Sequence, residues 1–222
     1  MCHIPKDEVL RYLGYKNQEL SRELENRIDS LIETAKSVCS PKFTHMISDV
    51  EFNTDAIFLS GTSIQLTGND IKKHLTGAKK CIILACTLGT AFETELMRIQ
   101  AKSVTDSVIF DAVGNAYIES FADSCENKLL KPYRDGGYYS KYRYSPGYGD
   151  LPIELQNDIL SALSAQKRIG LSVTDTNILI PRKSITAFIG IYDKPQSVLT
   201  SKCDACSSRE FCKMKKEGFS CD

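Results

Sequence analysis

The chain has 222 residues, enough for one large domain or two small ones, and its 42% hydrophobic and 25% charged residues are ordinary for a globular protein in water. Its 28 basic and 28 acidic residues cancel, which argues against broad binding to nucleic acids or anionic membranes. No apolar run approaches the roughly 20 residues of a membrane span, and the first residues lack the apolar core of a signal peptide, so we expect a cytoplasmic protein.

The N-terminal part of the chain predicts two helices, over residues 6–14 and 17–38. In the second, charged residues separate apolar residues that recur at helical spacing, namely Leu20, Leu24, Ile28, Leu31, Ile32 and Ala35. This segment therefore has one face suited to packing against a core.

From residue 43 the pattern changes to short strands. One strand is predicted near 46–52, and residues 56–59 and 64–66 suggest a hairpin. Asn69 is placed to cap a short helix over 70–75.

The middle of the chain predicts a buried strand followed by two helices. Residues 79–86 end in a continuous apolar run, which is typical of a strand buried on both faces. One helix ends near residue 100, and a longer one runs from 105 to about 130. The apolar stripe of the longer helix consists of Val108, Ile109, Ala112, Val113, Ala116, Tyr117, Phe121 and Cys125.

The last third predicts a turn at 134–137, an extended segment over 138–144, a helix over 152–167, and strands near 177–181 and 184–192. Together these elements indicate an α+β fold, a mostly antiparallel twisted sheet flanked by helices, with an N-terminal helical segment and a Cys-rich C-terminal tail. The predicted boundaries are 1–40 for the helical segment, 41–195 for the α+β domain and 196–222 for the tail.

The segment 141–152, with the sequence Lys-Tyr-Arg-Tyr-Ser-Pro-Gly-Tyr-Gly-Asp-Leu-Pro, carries the most information about function. Pro and Gly give backbone shapes that helices and strands cannot hold. Tyrosines supply flat apolar area with a polar tip, and Arg143 supplies a fork that fits a carboxylate or phosphate. The composition is compatible with a rigid loop that holds a small polar ligand with a flat ring, and also with a buried aromatic turn that closes a sheet.

Arg-x-Ser-Pro-Gly-Tyr at 143–148 resembles the S-adenosylmethionine-binding loop of the activation domain of cobalamin-dependent methionine synthase. The pieces 87–89, 111–114, 119–123 and 181–187 are also similar to that family in order and spacing, so the resemblance covers roughly residues 80 to 190. It implies that the chain is a stand-alone version of a domain that usually ends a much longer enzyme.

The resemblance also implies a ligand set for S-adenosylmethionine. Arg143 would pair with its carboxylate through a two-pronged charged hydrogen bond, and Glu119 would take its ammonium group. The backbone around Ser145 and Gly147 would approach the adenine, and Tyr148 would lie against the ring or close the pocket. Without the resemblance, Glu119 reads as a solvated helix residue and Arg143 equally well as part of a structural ion pair.

The chain departs from the family pattern in a few places. Many members carry Pro and Cys after the Pro-Gly-Tyr sequence, where this chain has 149–152 as Gly-Asp-Leu-Pro, and the histidine often found just after is absent. For the acidic residue that the long enzymes contribute from the start of the domain, only Glu51 and Asp55 are candidate substitutes. Asp111 reads first as a helix-packing or capping acid and second as a ligand.

The chain contains nine cysteines, and those outside the tail are scattered. Cys81 and Cys86 lie in the apolar strand and Cys125 in the long helix, so we expect these three to be small buried hydrophobic residues. Since no export signal is present, a disulfide framework is not expected.

The tail holds Cys203, Cys206, Cys212 and Cys221 in the spacing C-x2-C-x5-C-x8-C. Thiolates at i and i+3 can face one metal, and soft sulfur ligands select zinc or an iron–sulfur cluster. The segment is otherwise polar, so a metal would be needed to fold it. The alternative is a reduced tail without metal.

For function, the resemblance implies a reactivation module. The chain would bind S-adenosylmethionine and support reductive remethylation of cobalamin held by a separate methionine synthase, with an electron donor as a further partner and no activity alone. No catalytic side chain is expected, since His3, His45 and His74 all lie outside the candidate loop and the sulfonium already activates the methyl group.

Three alternatives to this function remain open. The chain could activate another corrinoid protein, or be a metal-clipped interaction module without ligand binding. A small-molecule methyltransferase is disfavoured because no Gly-rich G-x-G sequence of the Rossmann kind follows a strand.

Overall fold

The computed structural model of the protein describes residues 3–16 and 18–196. In this part of the chain a six-stranded antiparallel sheet is flanked by seven helices, which confirms the predicted α+β class. Within the described residues we find no helix with both the length and the apolar character needed to span a membrane.

The helices are α1 (Lys6–Tyr12), α2 (Arg22–Val38), α3 (Asn69–Leu75), α4 (Thr90–Gln100), α5 (Val104–Asp135), α6 (Leu155–Ala162) and α7 (Ala165–Ile169). The strands are β1 (Lys42–Phe52), β2 (Ile57–Leu59), β3 (Gln65–Leu66), β4 (Lys80–Thr87), β5 (Tyr139–Ser140), β6 (Ser172–Val173), β7 (Leu179–Ile180) and β8 (Ser184–Tyr192).

The large sheet has the strand order β3-β2-β1-β4-β8-β5, and β6 and β7 form a separate two-stranded sheet. Val50 lies opposite Leu59 between β1 and β2, and Tyr139 lies opposite Tyr192 between β5 and β8. Strand β4 lies inside the sheet and is buried along nearly its whole length. That position explains why its sequence is a continuous apolar run.

The described residues form two compact units. The first unit contains 3–44 without residue 17, together with 85–128 and 164–185. The second contains 45–84, 129–163 and 186–196. The predicted division of the chain at residues 40 and 195 stays a prediction.

In the first unit, α2 buries one face, formed by Ile28, Leu31, Ile32 and Ala35. These four residues follow the i, i+3, i+4, i+7 spacing that places side chains on one side of a helix. The helix begins where Ser21 accepts a hydrogen bond from the backbone N–H of Leu24 at 3.3 Å. Ser21 therefore satisfies one of the four N–H groups that a helix start leaves unpaired.

In the second unit, the core is built from the apolar sides of β2, β3, β4 and β8 together with α3. Its fully buried side chains include Ile57, Leu59, Leu66, Ile71, Leu75 and Phe188. Helix α3 is only seven residues long, and it is held in place by Ile71 and Leu75 on its buried face.

Several boundaries differ from the sequence-based expectation. Helix α5 continues through Pro132 to Asp135, past the end predicted near residue 130. The helix predicted over 152–167 is two short helices, because Ser164 between them has a left-handed φ of 48°. Val108, predicted in the buried stripe of α5, is 56% exposed.

Four of the cysteines lie in the described part of the chain. Cys81, Cys86 and Cys125 are buried, which confirms the prediction, and Cys39 is half-buried. Burial raises the pKa of the Cys39 and Cys81 thiols to about 12. Thiols that stay protonated at neutral pH are poor nucleophiles, so these two residues have a packing role.

Candidate functional site

The candidate loop, 143–151, leaves the large sheet from a fixed point in the second unit. Tyr144 is buried and forms an antiparallel bridge with Phe188 of β8. The Tyr144 N–H donates to the Phe188 carbonyl at 2.9 Å, and the Phe188 N–H donates back at 2.8 Å. The residue that follows Arg143 is therefore held as firmly as a strand residue.

After this bridge the loop is shaped by its own backbone hydrogen bonds. The N–H of Tyr148 donates to the carbonyl of Ser145 at 3.2 Å, and the N–H groups of Gly147 and Leu151 donate to the carbonyls of Leu151 and Tyr148 at 2.9 and 3.0 Å. Gly147 has a φ of 88°, a conformation that strains any residue with a side chain. The backbone shape predicted from the Pro and Gly content is thus present.

Four of the five predicted ligand residues lie in this loop and differ in exposure. Arg143 and Ser145 are half-buried, whereas Gly147 is exposed and the Tyr148 side chain is 56% exposed. The loop therefore offers a partly shielded guanidinium group, an uncovered backbone and a flat ring open to solvent.

The loop also reaches the start of α3, a contact that the sequence did not reveal. The two carboxylate oxygens of Asp150 accept hydrogen bonds from the backbone N–H groups of Asn69 at 2.6 Å and Asp70 at 3.1 Å. Asn69 is the first residue of α3, so its predicted role as the cap is wrong and Asp150 takes that role. No local pattern could have shown this, because the two segments are 80 residues apart in the chain.

A histidine at the other end of α3 lies against the segment that leads into the loop. The His74 ring packs beside Tyr142 and Tyr144, with ring centroids 4.8 and 5.1 Å away. Its backbone carbonyl accepts hydrogen bonds from Lys141 Nζ at 2.9 Å and from the Tyr192 hydroxyl. Burial, assisted by the charge of Lys141, lowers the pKa of His74 to about 4.

His74 is therefore a neutral packing residue under the loop at physiological pH. His74 belongs to the immediate surroundings of the loop, whereas the sequence analysis expected no histidine near it. Its Nε2 atom is buried and has no hydrogen-bond partner among residues 3–16 and 18–196.

Glu119, the fifth predicted ligand residue, lies on α5 in the first unit and is half-buried. Asp111, Asn115 and Glu119 are four residues apart, so they share one face of this helix. Burial raises the pKa of Tyr12, and the negative charge of Glu119 raises it further.

Three of the sequence pieces that resemble the family contact one another in the first unit. The hydroxyls of Thr87 and Ser184 are 2.8 Å apart, and the backbone N–H of Leu88 donates to the carbonyl of Lys183 at 3.0 Å. Lys183 Nζ lies 2.8 Å from the Asp111 carboxylate and donates to Asn115 Oδ1 at 2.6 Å. These pieces join the ends of β4 and β8 to α5.

The ion pair between Lys183 and Asp111 explains why a lysine can be 9% exposed at this position. Burial lowers the pKa of Lys183, and the hydrogen bond and charge of Asp111 oppose that shift. The pairing supports the interpretation of Asp111 as a packing acid. Asp111 also lines a cleft of about 410 Å³ in the first unit, together with Tyr12, Leu13, Leu96, Gln100, Ser107, Val108, Ala112 and Asn115.

The predicted metal ligands Cys203, Cys206, Cys212 and Cys221 lie outside the described residues. Among residues 3–16 and 18–196, no three His, Cys, Asp or Glu side chains are grouped so as to hold a metal ion. The metal prediction therefore still depends on the sequence alone.

Known proteins provide a match at the level of the fold. No protein-family model and no curated protein sequence matches the chain. The structure is similar to the crystal structure of the MetH reactivation domain bound to AdoHcy, with a TM-score of 0.64 and 15% sequence identity. The match covers 95% of this chain and 77% of that one, so the fold expected from the resemblance is confirmed.

Proposed function

We propose that the chain binds S-adenosylmethionine at the 143–148 loop and supports reductive remethylation of cobalamin on a separate cobalamin-dependent methionine synthase. The main support is a loop whose backbone is fixed by hydrogen bonds and whose Tyr148 ring is exposed. This loop belongs to a chain with the fold of a MetH reactivation domain that binds AdoHcy.

The loop residues fit the ligand that the proposal requires. The carboxylate of S-adenosylmethionine calls for a cation with paired donors, which Arg143 can supply from a half-buried position. The adenine calls for backbone polar groups and a flat surface, which the backbone at Gly147 and the ring of Tyr148 can supply. AdoHcy is S-adenosylmethionine without its transferred methyl group, so the same groups would hold both.

Glu119 completes the proposed ligand set, with its carboxylate as the counter-charge for the ammonium group. This role follows from the family resemblance. The half-buried position of Glu119 on α5 is compatible with it, since a partly shielded carboxylate interacts more strongly with a cation than a fully solvated one.

In this proposal the chain binds and orients, and it needs no nucleophile of its own. S-adenosylmethionine supplies the methyl group, and a one-electron donor supplies the reduction of the cobalt on the other chain. The exposed tip of the loop leaves the ligand open to a docking partner. We expect the contact to be transient, because the same cobalamin must return to its normal reaction.

The C-terminal cysteines form a second part of the proposal. Cys203, Cys206, Cys212 and Cys221 would bind one zinc ion or one iron–sulfur cluster, since four thiolates suit either. Zinc would fold the tail as a structural clip, and a cluster would suit an electron relay. Elemental analysis and a visible spectrum of anaerobically purified protein would separate the two.

The test of the function is a reconstitution. The chain, S-adenosylmethionine and a reductant are mixed with a methionine synthase that lacks the activation domain and carries oxidised cobalamin. The methylcobalamin spectrum should return, and it should not return when either the chain or the reductant is left out. If the chain binds S-adenosylmethionine but restores no methylcobalamin, it serves another corrinoid protein or another task; if it binds none, the proposal fails.

A further inference from the structure

The carboxylate of Asp150 joins the candidate loop to α3 within the second unit. Its Oδ2 accepts from the N–H of Asn69 at 2.6 Å and its Oδ1 accepts from the N–H of Asp70 at 3.1 Å. Helix starts leave such N–H groups without partners inside the helix, and a charged acceptor forms stronger hydrogen bonds than a neutral one. We call this pair of bonds the Asp150 latch.

Two glycines make the latch sterically possible. Gly68 has a φ of 128°, and a Cβ there would lie 2.7 Å from Asp150 Oδ1. Gly149 has a φ of 54°, and a Cβ there would lie 2.5 Å from Asp70 Oδ2 and 2.6 Å from the Tyr144 hydroxyl. Both sides of the contact therefore lack a side chain where the two backbones approach.

The latch adds to the loop's own hydrogen bonds, which include one from the Tyr144 hydroxyl to the Tyr148 carbonyl at 3.3 Å, at a tip that has little apolar support. Pro146 and Leu151 are buried, whereas Gly147, Tyr148 and Gly149 between them are exposed. An exposed tip gains little from apolar burial, so hydrogen bonds must hold its shape. Asp150 follows directly after this tip and ties it to a helix whose other face is packed in the core.

We infer that Asp150 is a positioning residue for S-adenosylmethionine: it holds the 143–148 loop in its binding shape before the ligand arrives. The inference rests on the proposed function. A loop that is already ordered binds its ligand more tightly. The apparent dissociation constant is inversely proportional to the fraction of molecules whose loop is in the binding shape. Asp150 lies in the stretch where the chain departs from the family pattern.

The experiment compares S-adenosylmethionine affinity and thermal stability in three variants of the full chain. Asp150→Ala removes both acceptors and should raise the dissociation constant about 3- to 30-fold, as expected for a lost helix cap that also frees the loop. Asp150→Asn keeps one carbonyl oxygen and should show a smaller rise. Ser21→Ala removes the cap of α2 in the first unit, so it should lower stability similarly and leave affinity unchanged.

Hydrogen exchange of the loop amides supplies a measurement that does not depend on affinity. In ligand-free Asp150→Ala protein, the N–H groups of Gly147 and Leu151 should exchange about tenfold faster than in wild type, since local opening then costs less. Saturating S-adenosylmethionine should restore their protection. If Asp150→Ala fails to fold, Asp150→Asn carries the same comparison.

The outcomes separate this inference from the proposed function. Equal affinity and equal loop exchange in wild type and Asp150→Ala would overturn the positioning role. An equal loss of affinity in Asp150→Ala and Ser21→Ala would also overturn it, because the effect would then reflect general stability. If wild type binds no S-adenosylmethionine, the proposed function fails, while loop exchange still shows whether the latch orders the loop.

Discussion

Gly114 of α5 lies directly under the ring of Phe92 on α4. A Cβ at Gly114 would clash with three atoms of that ring, since even the two more distant ones would lie only 2.8 Å away, well inside van der Waals contact. Phe92 in turn stacks on Phe110, with ring centroids 4.6 Å apart and planes 7° from parallel. The glycine in the middle of this long helix is therefore explained by packing, since glycine otherwise weakens a helix interior by about 1 kcal/mol relative to alanine.

Gly114→Ala should destabilise the protein by about 1–3 kcal/mol, because overpacking a close-packed core outweighs the gain in helix propensity. Denaturant unfolding would measure the loss. Ser124→Ala, at an exposed position of the same helix, is the control and should be neutral or slightly stabilising. The double variant Gly114→Ala with Phe92→Leu should recover part of the stability; no recovery would mean that the ring is not what excludes a side chain.

Stability should fall as the pH drops from about 6.5 toward 4, in part because of His74. Its pKa is about 4 in the folded protein and near 6.5 in the unfolded chain, so the unfolded state binds more protons in this window. The loss from this one group should reach about 3 kcal/mol at pH 4. His74→Phe keeps an aromatic ring beside Tyr142 and Tyr144 and should flatten the pH dependence in this window; equal slopes in the two proteins would contradict the assignment.

The sequence predicted the order of the elements well, because most of them are encoded locally. The α2 stripe, the continuous run of β4 and the Pro-Gly shape of the 143–148 loop all depend on residues that are neighbours in the chain. Contacts between distant segments left no local signal. The hydrogen bonds from Asn69 and Asp70 to Asp150 and the packing of His74 against Tyr144 emerge only from the folded chain.

Two features of α5 also differ from the sequence-based expectation. The helix continues past the end predicted near residue 130, because Pro132 lies in its last turns, where a missing backbone N–H removes only one hydrogen bond of a 32-residue helix. Val108 fits the helical period of the α5 stripe and yet is 56% exposed, because it lines an open cleft. Periodicity identifies the face of a helix, but it does not show whether another element covers that face.

Arg143→Ala should weaken the binding of S-adenosylmethionine by about 1.5–3 kcal/mol, the usual contribution of a hydrogen bond to a charged group. Titration calorimetry would measure the change. Arg143→Lys keeps the charge but loses the two-pronged geometry, so it should recover only part of the affinity. If Arg143→Ala binds as tightly as wild type, the guanidinium group does not hold the ligand carboxylate.

Tyr148→Ala should also weaken binding, because it removes the exposed ring expected to lie against the adenine. Tyr148→Phe should bind almost as well as wild type, since it keeps the flat area and loses only the hydroxyl. The backbone of the loop should be unaffected by both changes, because Tyr148 joins the loop's hydrogen bonds through its main-chain N–H and carbonyl. Unchanged affinity in Tyr148→Ala would place the ring outside the binding site.

Glu119→Gln should reduce the rate at which methylcobalamin is restored while the fold stays intact. The change removes the proposed counter-charge of the ligand ammonium but keeps the size of a half-buried side chain, so it should not disturb packing. S-adenosylmethionine affinity should fall roughly 5- to 30-fold, less than for complete removal of a charged hydrogen bond, because the amide can still accept one. Glu25→Gln, at an exposed position of α2, removes the same charge elsewhere and should change neither affinity nor rate.

Because the charge of Glu119 also raises the pKa of Tyr12, spectroscopic titration of the tyrosines reports on the surroundings of Glu119 independently of the ligand. A lower Tyr12 pKa with unchanged affinity would mean that Glu119 acts only on Tyr12, and its role as a ligand residue would then be excluded.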